Sequence, residues 1–581
     1  MKPRNFVRNA GLAGATICEH LGDDPAVLAL QLSQRLPGAL VGPLAAAAAA
    51  APGKLLPAMA AVIQGRKADA AQLLSAAVEG GARGRAAIRL ADVATAAGLP
   101  VLAEQLLASV PASAPRRAGA MARLCWYQGD MSGAVRGLTS AGLNRPERRL
   151  RTRLASELSV FDGWVPVLPA VAGYVPQPHT VLHLLTNSLP YTGSGYAQRS
   201  HSLLKAQTDL GWTVHAATRI GYPVQVGRLY AGMTDLIDGV TYHRHLPATL
   251  PQGMAARLQL QAEELLKLAL KVRPAVLHTT THFVNGLVVR AVAGSLGIPW
   301  IYEVRGQLAD TWASTRDEDA KRSERYNKFV AREAEVMKSA GAVATLGEAM
   351  RERILEAGVP LQDTLLLPNA VGGDFMNEPD SPAEARQRLG LPADGPFIGT
   401  VSSLVDYEGL DDLLRAFALL APQHPDLRCL IVGDGVAGPA LKRLAVELGL
   451  EDRVLFPGRI PREQAHLYHQ ALDVFVVPRK DFPVTRMVTP LKPVEALASG
   501  RPVVFSDLPA LHEVVREGVD GFSACAGDPQ DLARILGRLL QDEAGRTAMG
   551  CEGRRFSVAA RTWTALAGTT AKTYMEMEAA S

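Results

Sequence analysis

Four positive charges fall within fourteen residues in "VVPRKDFPVTRMVTPLK": Arg479, Lys480, Arg486 and Lys492. One carboxylate, Glu495, follows Lys492 by three residues, at the head of "EALASGRPVVFSD". Cations packed between an apolar run and the start of a helix suit an anion whose charge grows during reaction. A phosphate group is such an anion, stabilised by Lys, Arg, backbone N–H groups and helix N-termini. A solvated basic loop is the ordinary alternative. The position after a strand and before a helix favours phosphate binding, with Thr489, Pro490 and Leu491 as the turn whose backbone faces it.

Holding such a cluster takes a sheet, and the chain supplies two sets of strands. The first set is "TVLHLLTNS", "WTVHAATR", "AVLHTTT", "PWIYEVRG", "AVATL" and "TLLLPNA", with helical segments between several of them. The pattern restarts after Gly395 with "FIGTVSS", "RCLIVGDG", "RVLFPGR", "VFVVPRK" and "PVVFSD", alternating with helices from about Gly409 to Leu420 and Pro439 to Leu448. Alternation of this kind predicts two doubly wound α/β domains. In tandem they bring the carboxyl ends of both sheets to one cleft, where this topology binds ligands. Arg305, in "YEVRG", is expected there, and Asn369, in "LPNAV", is expected as either a turn residue or a cleft contact. In "PYTGSGYAQRS", Gly193 and Gly195 let backbone approach a ligand just before a helix. The loop is not a G-x-G-x-x-G, so a dinucleotide fingerprint is unsupported.

Upstream the composition changes to Ala, Leu, Arg and Gly. Segments around Gly65, Gly98 and Gly129 share a theme, a helix ending near Gly and a second starting on small residues. They resemble tetratricopeptide-like hairpins without most of that consensus, and an irregular bundle fits as well. The expected division is a helical extension over 1–160, a proline-rich linker over 161–179, α/β domains over 180–375 and 376–560, and a terminal helix over 561–581 packing back on the first α/β domain. A net charge of +4, from 61 basic and 57 acidic residues, gives no reason to expect a nucleic-acid partner. Five scattered cysteines form no metal-binding spacing and suit a reducing compartment. The start has no clear secretory signal and "ALVGPLAAAAAAAPG" is too short to span a bilayer. The expectation is a cytoplasmic protein, able to touch the inner membrane face peripherally.

In fixed order, "VGDG", "RVLFPGRIP", "LYHQALDVFVVP" and "PVEALASGRPVVFSDLPALHEVV" resemble the nucleotide-sugar domain of family 4 glycosyltransferases of the GT-B fold. "LGWTVHAAT", "GIPWIYEVRG" and "LLLPNAV" are similar to their acceptor-side domain, so the resemblance covers about Thr180 to Ser581. It implies a retaining, metal-independent transfer from a UDP- or GDP-sugar, with no further cofactor, to a glycan or lipid-linked acceptor in surface polysaccharide or glycoconjugate synthesis. It assigns Glu495 to the ribose hydroxyls and places a histidine near the reacting sugar, where the matching position is Thr280 and His282 is the substitute. Lys492, Arg305 and His282 are the residues expected nearest the chemistry.

Two departures stand out. Relatives carry a second glutamate where this chain has Met487, and an Arg and a Lys where it has Ser403 and Glu408. The forms "YEVRG", "YEGLD" and "TPLKPxEA" resemble a bacterial sub-branch, in which Arg479, Lys480, Arg486 and Arg305 are expected to replace the missing charges. Another reaction on the same scaffold, such as epimerisation of a nucleotide sugar, is the second enzymatic reading. The departures themselves leave room for a different one, a non-catalytic scaffold that acts through the helical extension, by self-association or with a protein partner.

Overall fold

Every run read as a strand enters one of two sheets in the computed structural model, which describes residues 3–23, 38–138 and 142–580. The first sheet has eight strands in the order β3-β4-β2-β1-β5-β6-β7-β8. They are β1 (Thr180–Leu185), β2 (Thr213–Thr218), β3 (Thr234–Ile237), β4 (Val240–His243), β5 (Val276–Thr280), β6 (Trp300–Val304), β7 (Ala342–Thr345) and β8 (Thr364–Leu366). The second sheet has six, in the order β11-β10-β9-β12-β13-β14. These are β9 (Phe397–Val401), β10 (Arg428–Val432), β11 (Val454–Gly458), β12 (Val474–Val477), β13 (Val503–Ser506) and β14 (Gly521–Ala524).

All pairings are parallel except β3 with β4. Helices cover both faces, so β1, β5, β6, β7, β12 and β13 are buried along their whole length, as continuous apolar runs require. The β3–β4 hairpin and β14 were not foreseen. The hairpin turns on Asp238 and Gly239, with φ of 49° and 80°, a pair suited to a tight two-residue turn.

Ahead of the sheets, helices Leu55–Ile63 and Lys67–Glu79, Gly84–Ala96 and Pro100–Ala108, and Arg117–Gln128 and Met131–Arg136 form three successive hairpins. Gly65, Gly98 and Gly129 sit in their turns with φ of 70°, 71° and 90°, a backbone state that glycine adopts without penalty. Helix Arg145–Phe161 follows, started by a capping box between Asn144 and Glu147. Residues 139–141, at the end of the third repeated segment, and residues 24–37 of the expected extension lie outside the described residues.

The first helix, Pro3–Asp23, docks on the first α/β domain: Asn9 Nδ2 donates to the carbonyls of Leu229 and Ala231, and Leu12 is buried beside Val224 and Leu246. The last helix, Trp563–Ala579, also packs on the first domain, with Tyr574 fully buried against His278 and Gln207. Among the described residues no helix is long and apolar enough to cross a membrane.

Candidate active site

The loops leaving the carboxyl ends of β9, β10 and β12 are stacked so tightly that only glycine fits at their crossings. A Cβ at Gly433 would lie 1.8 Å from the Ser402 carbonyl, and one at Gly409 would lie 1.7 Å from the Pro478 carbonyl. That stacking fixes the 402–409 loop over the start of helix Lys492–Ala498. Glu408, buried in the loop, becomes a hub. Its Oε1 accepts from Arg479 Nη2 at 3.0 Å and from Lys492 Nζ at 2.8 Å, and Oε2 accepts from Arg479 Nε at 3.3 Å. Lys492 Nζ also donates to Ser402 Oγ at 2.8 Å.

Burial works against the Glu408 charge, yet Arg479 and Lys492 hold its pKa at about 2. Burial likewise pulls the Lys492 ammonium below its usual range, against the attraction of Glu408. Two cations against one carboxylate leave a net positive charge beside the 488–491 turn, whose Val488 carbonyl accepts from Arg479 Nη1 at 2.9 Å. Thr489 lies in that turn, buried, and its Oγ1 has no hydrogen-bond partner among the described residues. Buried hydroxyls are normally satisfied, so the free Oγ1 marks a place for a polar ligand atom.

One helical turn on, Glu495 is 4% exposed and faces a different set of groups. Arg462 Nη2 donates to Oε1, and His469 Nε2 lies 3.5 Å from Oε2. Burial opposes ionisation, but Arg462 and His469 keep the Glu495 pKa at about 2. The carboxylate that could take a vicinal diol is therefore occupied by a half-exposed arginine, which a ligand must move aside.

The charge replacement expected from sequence needs correction. Arg479 and Lys492 do converge. Lys480 is instead tied to Asp411 at 2.9 Å and Asp412 at 3.2 Å. Arg486 is held by Asp481 in a two-point pair and is half exposed. Each of these cations has its own carboxylate nearby in sequence or on the adjoining helix, which removes it from the shared cluster.

Arg305 is also corrected. It is almost fully buried rather than presented to the cleft, donating to Glu303 Oε2 and Ser200 Oγ, both at 2.6 Å, over the Tyr196 ring. Arg199 Nη2 meets the other oxygen of Glu303 at 2.7 Å, so one buried carboxylate bridges two arginines. This unit props up the Gly193–Gly195 loop, because Tyr196 and Ser200 belong to helix Gly195–Asp209.

His282 caps helix Phe283–Leu296 through Nδ1, and its ring packs on Phe283 and Phe329 with centroids 4.5 and 4.9 Å away. Burial, reinforced by Arg325, lowers its pKa to about 4, so it is a neutral ring in an aromatic cluster.

Other contacts bring the two domains together. Asn369 Nδ2 donates to the Thr489 carbonyl at 2.8 Å, and Asn369 Oδ1 accepts from Arg199 at 3.1 Å. Met487 packs against the apolar core of the first domain, and Leu491 does the same at a second cluster there. A Cβ on Gly193 would meet Arg459 Nη2 at 3.1 Å, so this loop faces Arg459 across the cleft, while Gly195 opens its helix with free space around it. Pro490 is buried in the same turn as Thr489.

Sequence reasoning singled out neither Arg462, Arg459 nor His469. Arg459 follows "FPG" at the end of β11, and a cation directly after a strand's carboxyl end was the available signal. Among the described residues no group of three or more His, Cys, Asp or Glu is arranged to hold a metal ion.

Comparison with known proteins bears on the two α/β domains. Residues 194–370 match the model for a glycosyl transferase 4-like domain, and residues 382–556 match that for glycosyl transferases group 1. The GDP-mannose-dependent alpha-(1-6)-phosphatidylinositol monomannoside mannosyltransferase of Mycolicibacterium smegmatis is 33% identical over 38% of this chain and 58% of its own. The D-inositol 3-phosphate glycosyltransferase of Thermobispora bispora is 32% identical over 34% of this chain and 47% of its own. The chain thus spans about half the length of the curated relatives it matches. The sucrose-phosphate synthase structure from Thermosynechococcus elongatus superposes with a TM-score of 0.57 at 24% identity, covering 69% of this chain and all of that one. The two α/β domains therefore have the GT-B architecture.

Proposed function

From two glycosyltransferase-type domains closing on one cleft, we propose that the protein transfers a sugar, with retention, from a nucleoside-diphosphate sugar to a glycan or lipid-linked acceptor. One observation carries this reading. Lys492 and Glu495 lie one turn apart on a single helix, the cation paired with Glu408 beside Arg479 and the carboxylate beside Arg462 and His469. A diphosphate at the first and a ribose diol at the second match the order of charge and hydroxyl groups along one donor molecule.

In this reaction the bond from the sugar's anomeric carbon to the phosphate oxygen breaks, and the electron pair stays with the diphosphate. Lys492 and Arg479 stabilise the charge that grows there. The acceptor hydroxyl adds to the same face of the sugar and gives its proton to the departing phosphate oxygen. Met487 offers no carboxylate for that task, which supports a phosphate-assisted route. The dependence of the Mycolicibacterium smegmatis relative on GDP-mannose makes that donor the first to try, followed by UDP-sugars.

Calorimetry with UDP, GDP and their sugars tests the reading. One nucleoside diphosphate should bind, with about tenfold weaker affinity in both K492A and E495A. Release of the diphosphate should need an acceptor and persist in chelator, and product NMR should show the donor's anomeric configuration. Binding of no nucleotide would overturn the proposal in favour of a scaffold, a reading that Met487, packed into the interdomain contact, keeps open.

A further inference from the structure

The four helices Leu55–Ile63, Gly84–Ala96, Arg117–Gln128 and Arg145–Phe161 line a common cavity of about 450 Å³, well away from the cleft. Its floor is apolar: Ile88, Val93 and Leu150 are buried, with Leu55 and Met59 partly so. No aromatic side chain lines it. Two carboxylates are present, and both are spent internally. Asp92 takes Arg123 in a two-point pair at 2.8 Å, and Glu147 accepts the backbone N–H groups of Gly119 at 3.1 Å and Asn144 at 3.2 Å.

Arg89 and Arg116, both exposed at the rim, have no ion pair among the described residues. Arg116 also holds a left-handed backbone, with φ of 73°, unusual for a residue with a side chain. The charge is not local to the rim. Residues 1–160 carry 19 Lys and Arg against 10 Asp and Glu, whereas the remainder of the chain has 42 against 47.

We propose that this groove is a docking site for an extended acidic segment of a partner protein, with an apolar side chain in the floor and carboxylates on Arg89 and Arg116. Consecutive helical hairpins create concave surfaces of this kind. The free positive charge selects an acidic ligand, and the spent carboxylates give a basic one nothing to pair with. An anionic glycan would share the arginine contacts, but sugar rings pack on aromatic faces and hydrogen-bond along their edges. A floor of Ile, Val, Leu and Met offers neither, so a peptide is favoured. The proposal is independent of donor chemistry.

Fluorescence anisotropy with the full-length protein tests it. The probes are labelled ten-residue peptides alternating Glu with Leu and Lys with Leu, plus a labelled oligogalacturonate hexamer. The Glu/Leu peptide should bind at least tenfold more tightly than the other two, more weakly as salt rises. R89E/R116E should abolish the preference, and M59W, which fills the floor, should weaken binding with no change in melting temperature or nucleotide affinity. Equal binding of the two peptides, tighter binding of the oligosaccharide, or an unchanged preference in R89E/R116E would each overturn it.

Discussion

Glu408 stands where the family resemblance leads one to expect a cation, and its contacts explain how a carboxylate can be there. The positive charge has moved to Arg479 and Lys492, and Glu408 separates and orients them. Removing it should leave two buried cations facing each other without compensation. E408A is expected to cost about 3–5 kcal/mol of stability, and E408A/K492M much less than the sum of its singles, measurable in a denaturant double-mutant cycle. The acid limb follows from the same pairings. Glu408 and Glu495, ordinarily near 4.5, are held at about 2 in the folded protein. Their contribution is complete above about pH 4.5 and fades as the pH falls toward 2, because the unfolded chain takes up those protons first. E408Q and E495Q should each flatten the loss of melting temperature across that window. Arg462 makes a separate prediction. In the proposed donor site it would compete with a ribose for Glu495, so R462A should tighten nucleoside diphosphate binding by about threefold or more, read by calorimetry. Glu495 was legible from its local pattern; Arg462 was not, because a pairing 33 residues away leaves no mark on the local sequence.

At the scale of elements, the contacts that close the cleft use helix ends and backbone, which sequence spacing describes poorly. Glu513, leaving helix Pro509–His512, accepts the N–H groups of Glu348 at 2.7 Å and Ala349 at 2.8 Å, capping helix Glu348–Glu356 of the other domain. The cap needs a glycine opposite, since a Cβ at Gly347 would fall 2.1 Å from Glu513 Oε2. G347A should therefore displace the cap and cost about 0.5–2 kcal/mol. If the cap holds the domains closed, small-angle scattering should show a larger radius of gyration in G347A and in E513A alike. An unchanged radius in both would make it a purely local contact. The strands themselves were legible because a strand buried on both faces must be an unbroken apolar run. The β3–β4 hairpin was missed despite its Asp-Gly turn, since both strands have only four residues, β3 is an edge strand with half its side chains exposed, and β4 buries only two, so they carry little apolar signal.

For the whole molecule, the hairpins were legible from their glycines, but the way they join the sheets was not. Met131, Val160 and Phe161 belong to the same buried cluster as Leu182, Phe283 and Phe329. Arg325 sits among Trp126, Phe161 and Trp312, its ring distances 5.4–5.7 Å, while its backbone N–H donates to the Gly129 carbonyl at 3.0 Å. Ser132 accepts no substitute easily either, since its N–H and hydroxyl both donate to Glu324. An extension that shares its core with the first α/β domain should unfold with it. Calorimetry should thus show one transition covering both, and Phe161→Ala should lower that transition by the equivalent of about 3–5 kcal/mol. Phe161 lies 5.3 Å from Phe283 and 5.9 Å from Phe329, and these two rings also hold His282. The loss should therefore reach the loop after β5 at the cleft. F161A is expected to lower the turnover number more than it weakens nucleotide binding, because the proposed donor site is built from the other domain. An extension melting on its own, with turnover untouched by F161A, would instead make it an independent module merely attached to the transferase-like body.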